Sequence, residues 1–97
     1  MKIEFTIHAY YELRDAVDYY NLKLEGLGDR FKENVQEGLT RIEAYPDAWE
    51  KQTESTRRYV LNRFPYKIVY RVLNDVIYIL AIACSHRNPD YWVDRDV

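Results

Sequence analysis

The chain has 97 residues, enough for one domain with an ordinary core and too few for two. Hydrophobic residues make up 47% and charged residues 31%, which is too apolar for a disordered chain. The net charge of −2 conceals a split: residues 1–54 carry seven Lys/Arg against twelve Asp/Glu, whereas residues 55–87 carry six against one.

Residues 2–7 (KIEFTI) alternate Ile3, Phe5 and Ile7 with Lys2, Glu4 and Thr6, so they read as a strand with one buried face. The period then changes. Over residues 8–24, Ala9, Leu13, Ala16, Val17, Tyr20 and Leu24 recur at intervals of three and four, the spacing of one helical face, with Glu12, Arg14, Asp15, Asp18 and Lys23 on the other side. Gly26 and Gly28 end this helix and permit a tight reversal, and Asp29 favours the start of the next one. Residues 30–45 form a second helix through Phe31, Val35, Leu39, Ile42 and Tyr45, stopped by Pro46. A polar loop follows over residues 46–56, with Trp49 expected at the edge of the core.

The sheet region occupies residues 57–84. Pro65 sits where a first hairpin turns, because it cannot donate to a central ladder. In residues 67–73, Lys67, Val69, Arg71 and Leu73 share one face, opposite Tyr66, Ile68, Tyr70 and Val72. Asn74-Asp75 makes a two-residue turn, since both types tolerate positive φ. Residues 76–84 are almost wholly apolar and read as a strand buried on both faces. The predicted order is β-α-α-β-β-β in a single domain over residues 1–97. It is an α+β fold with a twisted, mostly antiparallel sheet, a two-helix hairpin on one face, and the basic residues on the other.

No apolar run approaches the ~18 residues that span a membrane, and the start MKIEFTIHAYYEL lacks the apolar stretch of a signal peptide. The single cysteine, Cys84, has no internal disulfide partner and reads as a core residue of a cytoplasmic protein. His8 and His86 lie far apart and form no ligand cluster with Cys84, so neither a metal nor another cofactor is expected. No nucleophile motif and no glycine-rich phosphate loop is present. What remains is basic and aromatic: Arg57, Arg58, Arg63, Lys67, Arg71 and Arg87, with Tyr70, Tyr91 and Trp92. Arginine pairs with phosphate through two N–H groups, and aromatic rings stack on bases. The plainer reading makes Lys67 and Arg71 solvated strand residues, with Tyr91 and Trp92 packing the terminus onto the core.

In order and spacing, three pieces resemble the RelE/ParE superfamily of bacterial type II toxins. They are the helical hairpin with DAVDYY (residues 15–20) closed by Pro46; RFPYKIVYRV (63–72) followed by VIYILAIA (76–83); and RNPDYWVDR (87–95). The resemblance covers nearly the whole chain, and its FPY…YR…PxYW pattern is closer to the ParE side. It implies a growth-inhibiting toxin acting on DNA gyrase and neutralised by a cognate antitoxin. Arg57, Arg58, Arg63, Arg71, Arg87 and Trp92 would be the binding residues. The alternative is a RelE-like ribosome-dependent, metal-independent mRNA endoribonuclease using Lys67, Arg71, Arg87 and Tyr91. A third reading is a non-toxic plasmid-stabilisation homologue. The negative net charge and a residue 48–56 loop with only Lys51 depart from the nuclease pattern, and Cys84 stands where many members carry histidine. Whether the free toxin forms a homodimer stays open. An antitoxin strand or amphipathic helix would cover the sheet edge and the groove beside the basic face.

Overall fold

Residues 1–86 and 91–95 of a computed structural model are described here. They form β1 (Lys2–Phe5), α1 (Ile7–Lys23), α2 (Leu27–Ala44), β2 (Arg57–Val60), β3 (Tyr66–Leu73) and β4 (Val76–Cys84). The expected β-α-α-β-β-β order is the observed one.

Thr6 decides where the first strand stops. Its backbone is extended, and its hydroxyl accepts the Ala9 N–H at 3.3 Å, which makes it the N-cap of α1. The same hydroxyl donates to Ile79 O at 3.0 Å, tying the cap to β4. Ile7 therefore opens the helix instead of closing the strand, and it is 58% exposed. The alternating pattern had carried the strand two residues too far, because a cap threonine and a strand threonine look alike in sequence.

The second helix starts three residues earlier than its apolar stripe suggests. Gly26 takes φ +86°, the left-handed turn between the helices. Gly28 is already inside α2, where its N–H is bonded by Asn21 Oδ1 of α1 at 2.7 Å. A Cβ on Gly28 would collide with the Val17 carbonyl oxygen and lie 2.6 Å from Asn21 Cγ. Gly28 thus serves close helix approach, while Gly26 makes the reversal.

The sheet order is β1-β4-β3-β2. β2–β3 and β3–β4 are antiparallel, and β1 pairs in parallel with β4. The chain leaves β1, crosses through both helices and the β2–β3 hairpin, and returns beside it in β4, a connection long enough to allow parallel pairing. Asn74 and Asp75 take φ of 51° and 63°, the two positive values that a tight β3–β4 turn needs.

The helices cover one sheet face. The core between the layers holds Ala9, Ala16, Phe31, Val35, Leu39 and Ile42 from the helices, and Tyr59, Ile68, Tyr70, Ile77, Ile79 and Ile82 from the sheet. At one end, Tyr20, Phe31, Phe64 and Tyr66 stack in tilted and edge-on contacts, with Phe31 and Tyr66 centroids 4.8 Å apart.

β4 is apolar on both sides for a specific reason. Val69 pairs with Ala81 and Tyr70 pairs with Ile79, so Leu80 has no cross-strand partner. This bulge reverses the alternation of β4. Ile77 and Ile79 face the helices before it and Ile82 after it, while Leu80, Ala81 and Ala83 face the second side with Val69. Trp92 closes over that second cluster and is 3% exposed.

Candidate functional site

Cross-strand register assigns the basic residues to faces. Arg58 pairs with Val69 and Val60 with Lys67; Lys67 in turn pairs with Ala83 and Arg71 with Tyr78. Arg58, Lys67 and Arg71 therefore share the face away from the helices, as the alternation predicts for Lys67 and Arg71. Arg57 pairs with Tyr70 and belongs to the helix side, where its guanidinium donates to Trp49 O at 2.7 Å. Arg63 is exposed in the β2–β3 connection. Arg87 lies outside the described residues. Three of the predicted cations thus share the face away from the helices, while Arg57 starts from the helix side and Arg63 lies in the hairpin connection.

The loop preceding β2 folds against this group. Lys51 forms an isolated bridge with Arg57, and Arg58 N–H donates to Glu50 O at 2.9 Å, so part of the outer edge of β2 is covered from within the chain. Arg58 is ion-paired to Glu50 at 2.6 Å. Gln52 Oε1 accepts from Lys67 Nζ at 3.0 Å and from Arg58 Nη1 at 3.4 Å. The acidic loop therefore offsets part of the positive field of the face. Arg57 and Arg71 also reach, with Lys51, a polar cleft of about 190 Å³ that is bordered by Asp47, Glu54 and Tyr70. Trp49 packs edge-on against Tyr59 at 4.8 Å, at the rim of the core where the sequence places it.

The tail makes the densest polar cluster. Glu12 of α1 reaches the β4 edge beyond the end of β1 and accepts the Ile82 N–H at 3.1 Å. Tyr91 Oη donates to Glu12 Oε2 at 2.5 Å. Arg95 donates to both carboxylate oxygens, at 2.8 and 2.9 Å, and to Leu80 O at 2.8 Å. The Arg95 guanidinium also lies 5.0 Å above the Tyr91 ring. The Glu12 hydrogen bond holds the Arg95 pKa above its ordinary value, so the guanidinium stays charged. Sequence reasoning placed Glu12 among the solvent-side charges of the first helix. The one available signal was Arg95, a lone cation among Asp90, Asp94 and Asp96.

Beside Glu12 a cleft of about 230 Å³ is walled by Asp15, Tyr19, Tyr66, Cys84 and Tyr91. Cys84 is half-buried here, not sealed in the core as the sequence suggested, because the bulge and the end of β4 bring it to the rim. Burial, reinforced by Tyr20 and Cys84, raises the Tyr66 pKa well above the usual tyrosine value. Tyr70, fully buried and donating to Pro46 O at 2.5 Å, is pushed up to about 12 by burial. Both are neutral phenols at neutral pH. They supply hydrogen-bond donors and aromatic surface, and no phenolate base.

Over residues 3–89 the sequence matches the family described as ParE toxin of type II toxin-antitoxin system, parDE. The chain belongs to the ParE toxin family. Among solved structures it is similar to a chain of the chromosomal ParDE TA system from P. aeruginosa. The identity is 19%, the match covers 87% of this chain and 95% of that one, and the TM-score is 0.77. At that identity the likeness is one of fold. No curated protein matches the sequence. The ParE assignment agrees with the branch that the FPY…YR…PxYW pattern favours. Among the described residues, no helix is long and apolar enough to cross a membrane.

Proposed function

We propose that this ParE-family toxin inhibits growth by binding DNA gyrase in the cytoplasm, and that a cognate antitoxin neutralises it. The observation that carries this reading is the ParE family match over residues 3–89. The open sheet face supports it. Arg58 and Lys67 are engaged by Glu50 and Gln52 of the chain itself. Arg71 is half-buried at a mixed-charge cleft. This suits a shaped protein contact better than a strongly positive channel for RNA phosphates, whose binding depends on uncompensated cations.

The ribonuclease alternative assigns Lys67, Arg71, Arg87 and Tyr91 to chemistry. That reaction needs a proton acceptor for the 2′-hydroxyl and a donor for the leaving oxygen. Lys67 is bonded to Gln52, and the Tyr91 hydroxyl to Glu12. Each is thus held by a different element of the fold.

Induction in growing bacteria tests the reading. The gyrase target predicts growth arrest with DNA breaks and a DNA-damage response while mRNA stays intact. Arrest with cleaved mRNA, lost on Lys67→Ala, would replace it with the nuclease. Harmless induction would leave the non-toxic homologue.

A further inference from the structure

Two helices bury one face of the sheet. The opposite face has a second apolar cluster, Val69, Leu80, Ala81 and Ala83, each at most 3% exposed. Among the described residues, the buried side chain closing that cluster from outside the sheet is Trp92. Ala81 and Ala83 leave the shallow floor on which an indole can lie. The neighbouring residues of the tail add polar anchors, Tyr91 and Arg95 on the Glu12 carboxylate and Arg95 also on Leu80 O.

We infer that residues 91–95 form a releasable strap over the second face of the sheet, with Trp92 as its plug and Glu12 as its latch. Two features make release separable from unfolding. The first is that the polar groups of the bulge do not depend on the strap. Ile82 N–H is bonded by Glu12, which stays on α1. Leu80 O keeps the longer, 3.4 Å branch of the Thr6 hydroxyl, whose 3.0 Å bond goes to Ile79 O, together with access to water once Arg95 leaves. The second is a cost in the docked state. Trp92 Nε1 is buried with no acceptor among the described residues, so docking gives up a hydrogen bond to water that the released strap regains. Lifting the strap uncovers an apolar floor next to Lys67, whose cross-strand neighbour is Ala83.

Trp49 and Trp92 are the only tryptophans, so Trp49→Phe makes Trp92 a sole reporter. In that background, Arg95→Ala removes half of the latch. The expected result is a red shift of Trp92 emission and a gain in acrylamide quenching, with helical circular dichroism unchanged and Arg95→Lys restoring much of the protection. Quenching that stays at the level of the Arg95 protein would overturn the inference. So would loss of the helical signal together with the protection, because the tail would then be integral to the fold.

Discussion

Glu12 and Arg95, 83 residues apart, meet in a two-pronged ion pair in which both side chains are at most 14% exposed. The same carboxylate caps the N–H that the β4 bulge leaves beyond the reach of β1. One side chain thereby joins the first helix, the last strand and the tail.

This geometry ranks two substitutions. Arg95→Ala leaves Glu12 with Tyr91 and the Ile82 N–H as donors. Glu12→Ala removes both carboxylate acceptors of the guanidinium, which keeps Leu80 O, and leaves the Ile82 N–H without its acceptor. Glu12→Ala is therefore expected to destabilise more than Arg95→Ala, by about 1–2 kcal/mol, the cost of leaving a buried donor unpaired. Urea unfolding of the two variants measures the order. Equal losses would mean that the Ile82 contact contributes nothing.

The glycines give a second ranking. A Cβ at Gly38 would lie 2.9 Å from Ile68 Cδ1 and 2.9 Å from Tyr59 Cε1, both side-chain atoms that can shift. At Gly28 the obstacle is the backbone of α1. Gly38→Ala is expected to cost about 1–3 kcal/mol from overpacking, partly offset by helix propensity, and Gly28→Ala more. Thermal melts should place Gly28→Ala below Gly38→Ala.

Alkaline stability follows from Tyr70. Its folded pKa of about 12 exceeds the ordinary tyrosine value of 10.0. Below pH 10 both states hold the proton, and there is no dependence. Between 10 and about 12 the unfolded chain releases it first, so stability falls as pH rises. Tyr66 and Tyr20, also raised, act in the same direction. Tyr70→Phe should flatten part of this fall. It should also cost about 1–2 kcal/mol at neutral pH, because Pro46 O loses its donor. Denaturant midpoints from pH 8 to 12 check both signs.

Arg71 provides a functional prediction. It lies on the open face with little in the core to disturb, so Arg71→Glu should leave the melting temperature nearly unchanged. Under the proposed gyrase reading, with this face as the contact, a reversed charge there slows association, and inhibition of gyrase should fall about tenfold or more. Titrating both proteins in a supercoiling assay gives that ratio.

Much of the fold was legible because its signals are local. The period change near residue 7, the stop at Pro46 and the Asn74-Asp75 turn each depend on a few neighbouring residues. The Thr6 cap and the start of α2 were blurred because threonine and glycine serve several local structures. The bulge at Leu80 was hidden inside an all-apolar run, where no alternation exists to break. Glu12 was missed for a different reason. Its partners come from residues 82, 91 and 95, and a helix-surface glutamate carries no mark of such distant donors. The shared face of Lys67 and Arg71 was readable from strand parity, whereas the place of Arg58 beside them and the engagement of Arg58 and Lys67 by Glu50 and Gln52 depended on register and on how a loop folds back.

The most direct measurement mixes the purified protein with DNA gyrase and supercoiled plasmid, then traps covalent complexes with detergent and protease. The gyrase reading predicts linear plasmid that accumulates with toxin and disappears when the cognate antitoxin is added first. Plasmid that stays uncut at every toxin concentration, with supercoiling undisturbed, would contradict it.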